Sequence, residues 1–183
     1  MAGIIKVNQY QDFNGNTLFT SDGNGNLTTM KTNYPAFHVS INTEQTGISS
    51  ATYTTVQFDN ETFDTDSAYD TSTYKFTIPS GKAGKYYFYA STRVLAAAGN
   101  AKLNKAFLKI VRTRDSTETE VSAFGIDLTN NPIFHICAKT FCTLDCEVGD
   151  EYKVQARGDV VSSTTTFANT NALSYFGGYR IGS

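Results

Sequence analysis

From residue 36 onward the sequence is cut into short runs in which apolar and polar side chains alternate, and each run stops at a cluster of turn-forming residues. Phe37, Val39 and Ile41 alternate with His38, Ser40 and Asn42, and Tyr74, Phe76 and Ile78 alternate ahead of Pro79. Leu108 and Ile110 continue the pattern, followed by Cys142, Leu144, Cys146 and Val148, and then by Tyr152, Val154 and Ala156. A period of two sends successive side chains to opposite faces of a strand, so each run has one face for a core and one for water. The stretches between them, TDSAYDTST, PSGKAG, AAGNAK, TRDSTE, LTNNP and EVGDE, hold the Gly, Pro, Asn, Asp and Ser that tight turns use. No window carries helical apolar spacing over three turns. Strands this short and regular predict an all-β sandwich or jelly roll. The supply of Phe and Tyr, 13 and 11 of 183 residues, suits strands.

The run KYYFYASTRV breaks the rule of one dry and one wet face. Tyr86, Phe88 and Ala90 point one way and Tyr87, Tyr89 and Ser91 the other, so both faces begin aromatic. A sandwich strand in a monomer wets one face. An aromatic outer face needs a cover, and a sister subunit is the reading preferred over a folded-back loop.

Residues 1–35 are of another kind. NGNTLFTSDGNGNLTT is dense in Gly and Asn, and its apolar residues, among them Ile4, Ile5, Val7, Leu18, Phe19 and Leu27, are too scattered to bury a core. This segment reads as an extended attachment arm that ends near Tyr34-Pro35, where proline favours an extended join. The division expected is an arm over 1–35 and a jelly-roll domain over 36–183. No internal repeat is evident in either part.

Several function classes are argued against. A formal net charge of −2 does not suit a partner of phosphate backbones, so no nucleic acid is expected. No apolar run approaches the roughly 20 residues of a membrane span, so no membrane insertion is expected. MAGIIKVNQYQ lacks the apolar stretch of a secretory signal. Cys137, Cys142 and Cys146 are odd in number and form no C-x-x-C pair, which gives neither a disulfide framework nor a zinc site. Cys142 and Cys146 share an inward row and read as small buried hydrophobes. The two histidines, His38 and His135, lie in strand-like runs and read as packed or interface residues. With no nucleophile motif or P-loop present, no catalytic residue and no enzymatic activity are expected.

Three motifs invite a functional reading. Asp22-Gly-Asn24-Gly-Asn26 opens like a calcium loop, but Leu27 and Asn33 occupy the positions where Gly and a bidentate Glu belong. Asx turns account for it better. Asp59, Glu61, Asp64, Asp66 and Asp70 crowd into one segment, read as a solvated loop, with calcium the alternative. Arg157-Gly158-Asp159 spells an adhesion tripeptide, here read as a strand running out into a loop.

The opening AFHVSIN, the block TTVQFDNETFDTDSAYDTSTYKFTIPSGKAGKYYFYAS, the late VGDEYKV and the terminal SYFGGYRI together resemble the C1q/TNF-like jelly-roll family. The matching residues include Val56, Phe58, Asp59, Tyr69, Asp70, Phe76, Pro79, Gly81, Gly84, Tyr86, Phe88, Gly149, Asp150, Tyr152, Phe176, Gly178 and Tyr179. The resemblance implies a ten-stranded jelly-roll sandwich, a compact homotrimer with aromatic residues near its axis, and binding rather than catalysis. Tyr87, Tyr89, Phe176 and Tyr179 are the candidates for the trimer interface. Some members of that family bind calcium through loop carboxylates. No other cofactor is implied.

The N-terminal segment resembles the short arms of bacteriophage virion proteins that carry such a domain. That implies a capsid decoration or fibre protein, made in the host cytoplasm and displayed on the virion surface. Its arm would dock on a capsid or tail protein through Ile4, Ile5, Val7, Leu18, Phe19 and Leu27. The rival expectation is a module that binds a receptor or a host-surface glycan, with Tyr89 and Tyr175 stacking on sugar faces.

Overall fold

The computed structural model describes residues 7–30, 35–97, 101–169 and 173–182, so the arm residues Ile4 and Ile5 lie outside the described residues. The chain divides into two units, Met1–Asn33 and Tyr34–Ser183.

The first unit holds a three-stranded antiparallel meander rather than a plain extended arm. Its strands are β1 (Gln9–Gln11), β2 (Thr17–Ser21) and β3 (Leu27–Met30), in that spatial order. Both turns are built the same way. Asp12 Oδ1 accepts the amides of Asn14 and Asn16 at 2.9 and 2.8 Å, and its Oδ2 accepts the Asn16 side-chain amide at 2.8 Å. Asp22 Oδ1 accepts the amides of Asn24 and Asn26 at 2.7 and 3.1 Å, and its Oδ2 accepts the Asn26 side-chain amide at 2.8 Å. The sequence D-x-N-G-N therefore occurs twice, at Asp12 and Asp22, with the same hydrogen bonds. This is an internal repeat that the scattered composition hides. The turns also account for Asp22. Bonds from the Asn26 side chain and the Asn24 and Asn26 amides hold its carboxyl below the ordinary value, and its oxygens serve the turn.

The second unit is a jelly-roll sandwich. In chain order its strands are β4 (Ala36–Ser40), β5 (Gln45–Ile48), β6 (Thr54–Thr55), β7 (Asn60–Asp64), β8 (Tyr69–Asp70), β9 (Lys75–Thr77), β10 (Gly84–Ala96), β11 (Leu103–Arg114), β12 (Thr117–Asp127), β13 (His135–Cys146), β14 (Glu151–Val160), β15 (Thr165–Phe167) and β16 (Tyr175–Gly182). One sheet runs β5-β15-β10-β16-β4-β7, with β13 on the other side of β10. The second runs β12-β11-β14-β9-β8, with β6 also on β14. The strands exceed the ten expected because the two- and three-residue pieces β6, β8 and β15 stand as separate strands among the described residues.

The core lies between the sheets and is mostly aromatic. Phe37 stacks on Phe76 of the other sheet at 4.1 Å and meets the edge of Phe176 at 4.9 Å, while Phe88 stacks on Tyr152 at 4.3 Å. All five rings are fully buried. Each buried aromatic of this size contributes about 2–3 kcal/mol over the same ring left in water. This corrects one expectation. Phe176 is 0% exposed and belongs to the core, so it is not on an outer face. Alternation along β16 sends Tyr175, Gly177 and Tyr179 outward instead.

The late Gly-Asp motif has a structural role. Asp150 is 1% exposed and forms a two-pronged ion pair with Arg114, Nε to Oδ1 at 2.6 Å and Nη2 to Oδ2 at 2.5 Å. It also accepts the Glu147 amide at 2.9 Å and the Tyr152 hydroxyl at 3.3 Å. Burial pushes its carboxyl up, but the Arg114 guanidinium and the Glu147 amide outweigh burial and hold it below the ordinary 3.8.

Candidate functional site

The two outer faces of the sandwich differ in chemistry. On the β12-β11-β14-β9 side, outward side chains form cross-strand ion pairs: Lys75 with Glu151 at 2.7 Å, Lys105 with Asp127 at 3.1 Å, Lys109 with Glu120 at 3.7 Å, and Lys153 with Glu118. Partly exposed pairs of this kind are worth about 0–1 kcal/mol each and give this face a charged surface, with Tyr53 and Phe107 lying under Lys109 and Arg157.

The opposite sheet turns rings outward. Alternation along β10 gives Tyr87 and Tyr89, along β16 Tyr175 and Tyr179, along β13 Phe141, along β4 His38 and along β7 Phe63. These rings make one unbroken row across five neighbouring strands. Phe141 is 6.2 Å from Tyr87, Tyr87 is 5.6 Å from Tyr179 and 6.0 Å from Tyr89, and Tyr89 is 6.0 Å from Tyr175. His38 is 5.9 Å from Tyr89, 5.6 Å from Tyr175 and 6.1 Å from Phe63. Phe141, Phe63 and Tyr179 are 68, 48 and 47% exposed, and the inner rings are partly buried.

One glycine makes the row continuous. A Cβ on Gly177 would stand 2.4 Å from the Tyr89 hydroxyl and 2.5 Å from its Cζ. Without it, the end of the Tyr89 ring packs over Gly177 and its hydroxyl is 3.1 Å from Nδ1 of His38, within hydrogen-bond distance. Burial lowers the His38 pKa and raises that of Tyr89, so both are neutral near pH 7.

No family model matches the sequence, and no curated protein matches it. Solved structures do match. Murine APRIL, in a crystal at pH 8.0, aligns with a TM-score of 0.59 at 8% identity, covering 81% of this chain and 99% of its own. The globular domain of the zebrafish complement 1qA protein aligns with a TM-score of 0.53 at 18% identity, covering 81% of this chain and 98% of its own. The fold is a C1q/TNF-like jelly roll. At these identities the likeness is one of fold.

Of the interface candidates, Tyr87, Tyr89 and Tyr179 lie in the row and Phe176 does not. Tyr89 and Tyr175, the candidates for sugar stacking, are members of the same row in mid-sheet. His38, read from the sequence as a packed or interface residue, lies in the row, and Phe141 and Phe63 extend it at either end. The signal for Phe141 is in the sequence: if Cys142, Leu144 and Cys146 face inward, then Phe141 faces out. In the N-terminal unit, Val7, Leu18 and Leu27 are 43, 50 and 57% exposed, and Phe19 stacks on Tyr10 at 4.4 Å. Phe13, at the tip of the first turn, is fully exposed as well.

The other motifs are absorbed by the fold. β14 runs through Val160, so Arg157-Gly158-Asp159 lies near the C-terminal end of the strand, paired with Phe107, Ala106 and Lys105 of β11 rather than in a loop. Arg157 clasps Asp159 through Nε–Oδ1 and Nη2–Oδ2 contacts of 2.7 Å each. Gly158 faces inward, where a Cβ would stand 2.6 Å from Thr165 Cγ2. The carboxylates between residues 59 and 70 serve separate turns. Asp59 accepts the Asn42 amide at 2.6 Å, Asp64 the Tyr69 amide at 2.7 Å and Asp70 the Ser72 amide at 2.8 Å. Bonds from the Ser72 side chain and amide and from Thr73 pull Asp70 down to about 2. Asp66 is 3.9 Å from Lys82. Among the described residues, no three His, Cys, Asp or Glu side chains are placed to hold a metal. Burial pushes the Cys142 and Cys146 thiols up to about 11, away from thiolate chemistry.

Proposed function

We propose that this chain is a non-enzymatic structural protein of a bacteriophage virion: a surface-exposed homotrimer whose aromatic faces pack on sister copies and whose N-terminal unit attaches it to a capsid or tail protein. The observation that carries the trimer is the row from Phe141 to Phe63, an aromatic band across five strands whose outer rings are left exposed among the described residues. The opposite sheet supports the same reading, because its outward side chains are mostly paired with one another, with Lys109 and Arg157 covering the rings of Tyr53 and Phe107. The attachment role rests on the exposed Val7, Leu18 and Leu27 and on the resemblance of this segment to virion arms. Three modest anchors on one trimer act together through effective concentration and hold firmly without covalent linkage.

Light scattering on the purified chain tests the trimer; a single-chain species at micromolar concentration rejects it. Deleting residues 1–30 is expected to leave the trimer soluble and to abolish binding to particles. A truncated form that still decorates particles rejects the attachment role. A host-glycan array run on the trimer tests the rival role of Tyr89 and Tyr175, and binding that is lost on Tyr175→Ala would favour it.

A further inference from the structure

We infer that the aromatic row is an acid-labile interface in which His38 is the proton-sensitive member, an inference that rests on the trimer reading above. His38 sits within the row, held by Tyr89 from β10, Tyr175 from β16 and Phe63 from β7, with its Nδ1 engaged by the Tyr89 hydroxyl. No carboxylate among the described residues forms an ion pair with it.

The charged groups on the surrounding strands are committed elsewhere or lie outside the ring cluster. On β10, Lys85 is 3.5 Å from Asp145, and Arg93 is two rungs beyond Tyr89 on the same face. On β16, Arg180 donates to the Ala83 carbonyl at 2.7 Å. On β7, Asp64 accepts the Tyr69 amide, and Glu61 is exposed beside Val39 in the register. β4 carries no other titratable side chain. The titratable groups that face His38 are the Tyr89 and Tyr175 phenols.

A neutral imidazole fits this setting and an imidazolium does not. Contact with ring faces returns part of the cost of a buried cation, but stripping water from an unpaired charge costs more. Burial already lowers the pKa of His38 in the single chain, and covering the face with sister copies lowers it further. The sign follows. The assembled form disfavours the proton, so association is strongest above the His38 pKa of the free chain and is lost as pH falls through it. A trimer carries three such rings, so a tenfold penalty at each multiplies to about a thousandfold on the three-chain constant.

Sedimentation equilibrium at fixed ionic strength, from about pH 8 to about pH 5, tests this with the intact chain, His38→Gln and His38→Phe. The intact chain is expected to associate at least about tenfold more weakly at the lower pH, while both variants hold one constant throughout. An intact chain whose association is flat over that range, or a Gln variant that dissociates with the same profile, overturns the inference and leaves the trimer standing. An intact chain that never associates overturns the trimer and the inference together. If both variants unfold, the His38 proton resonance decides: its pKa must be lower in the assembled chain than in a monomeric Phe141→Asp chain, and equal values overturn the inference.

Discussion

Tyr89 lies across Gly177, and the space left by the missing side chain lets its hydroxyl reach His38 at 3.1 Å. Gly177→Ala puts a methyl group 2.4 Å from that hydroxyl, so the ring must swing off the sheet. The expected cost is about 1–3 kcal/mol of folding stability, together with loss of self-association. Tyr89→Ala in the same chain is expected to return most of the folding stability but not the assembly. A double-mutant cycle by chemical denaturation and light scattering checks both, and additive effects would mean that the two residues do not meet.

Phe141 and Phe176 form a second contrast, because both are phenylalanines on the aromatic-faced sheet but only one is in the core. Phe176→Ala is expected to cost about 3–5 kcal/mol in a denaturant melt. Phe141→Asp changes a ring that is 68% exposed in the single chain, so its monomer should fold within about 0.5 kcal/mol of the parent. That variant should nonetheless elute as a monomer. An assembled Phe141→Asp chain would remove β13 from the interface.

Asp150→Asn keeps the shape but removes the buried charge that the partly exposed Arg114 pairs with, and should cost about 2 kcal/mol. The pH dependence has a definite direction. The folded carboxyl lies below 3.8, so its contribution is present above the unfolded value and is lost as pH falls through the folded one. Thermal melts from about pH 7 to about pH 3 should steepen below about pH 4 in the parent, with a smaller slope in the variant.

The adhesion tripeptide offers a negative prediction. Arg157→Ala should not change adhesion of animal cells to the protein, because Arg157 and Asp159 already hold each other on a strand. Gly158→Ala should destabilise the fold, because its Cβ meets Thr165 and Val94 at 2.6 and 2.9 Å. Cell adhesion that depends on Arg157 would reverse this reading.

The sandwich was legible because alternation is a local signal. Phe37, Phe76, Tyr86, Phe88 and Tyr152 all fall on the inward side that their runs predict. The face of β10 was legible for the same reason, since two tyrosines on an outer row break the pattern. Membership of the whole row was not, because it is set by which strands lie side by side. His38 meets Tyr89 only because β4 and β10 both flank β16, a relation across 51 positions of sequence. Phe176 and Tyr179, three positions apart, face opposite sides of β16, but SYFGGYRI does not itself tell which of the two is inward. The glycines that flank its second half hide the alternation that a longer apolar run would display. The meander is hard to read from the sequence because its turns are built from polar side chains that also occur in loops. What separates the two is the repeated spacing of Asp and Asn, which apolar periodicity cannot register.

The twin Asp-Asn turns make the first unit modular. Each further copy of about ten residues would add one turn and one strand, and in an antiparallel meander every added strand reverses the direction of the chain. An odd number of added copies would send the exit backwards, whereas a pair would restore it. Meanders of this design should therefore lengthen or shorten in steps of two copies.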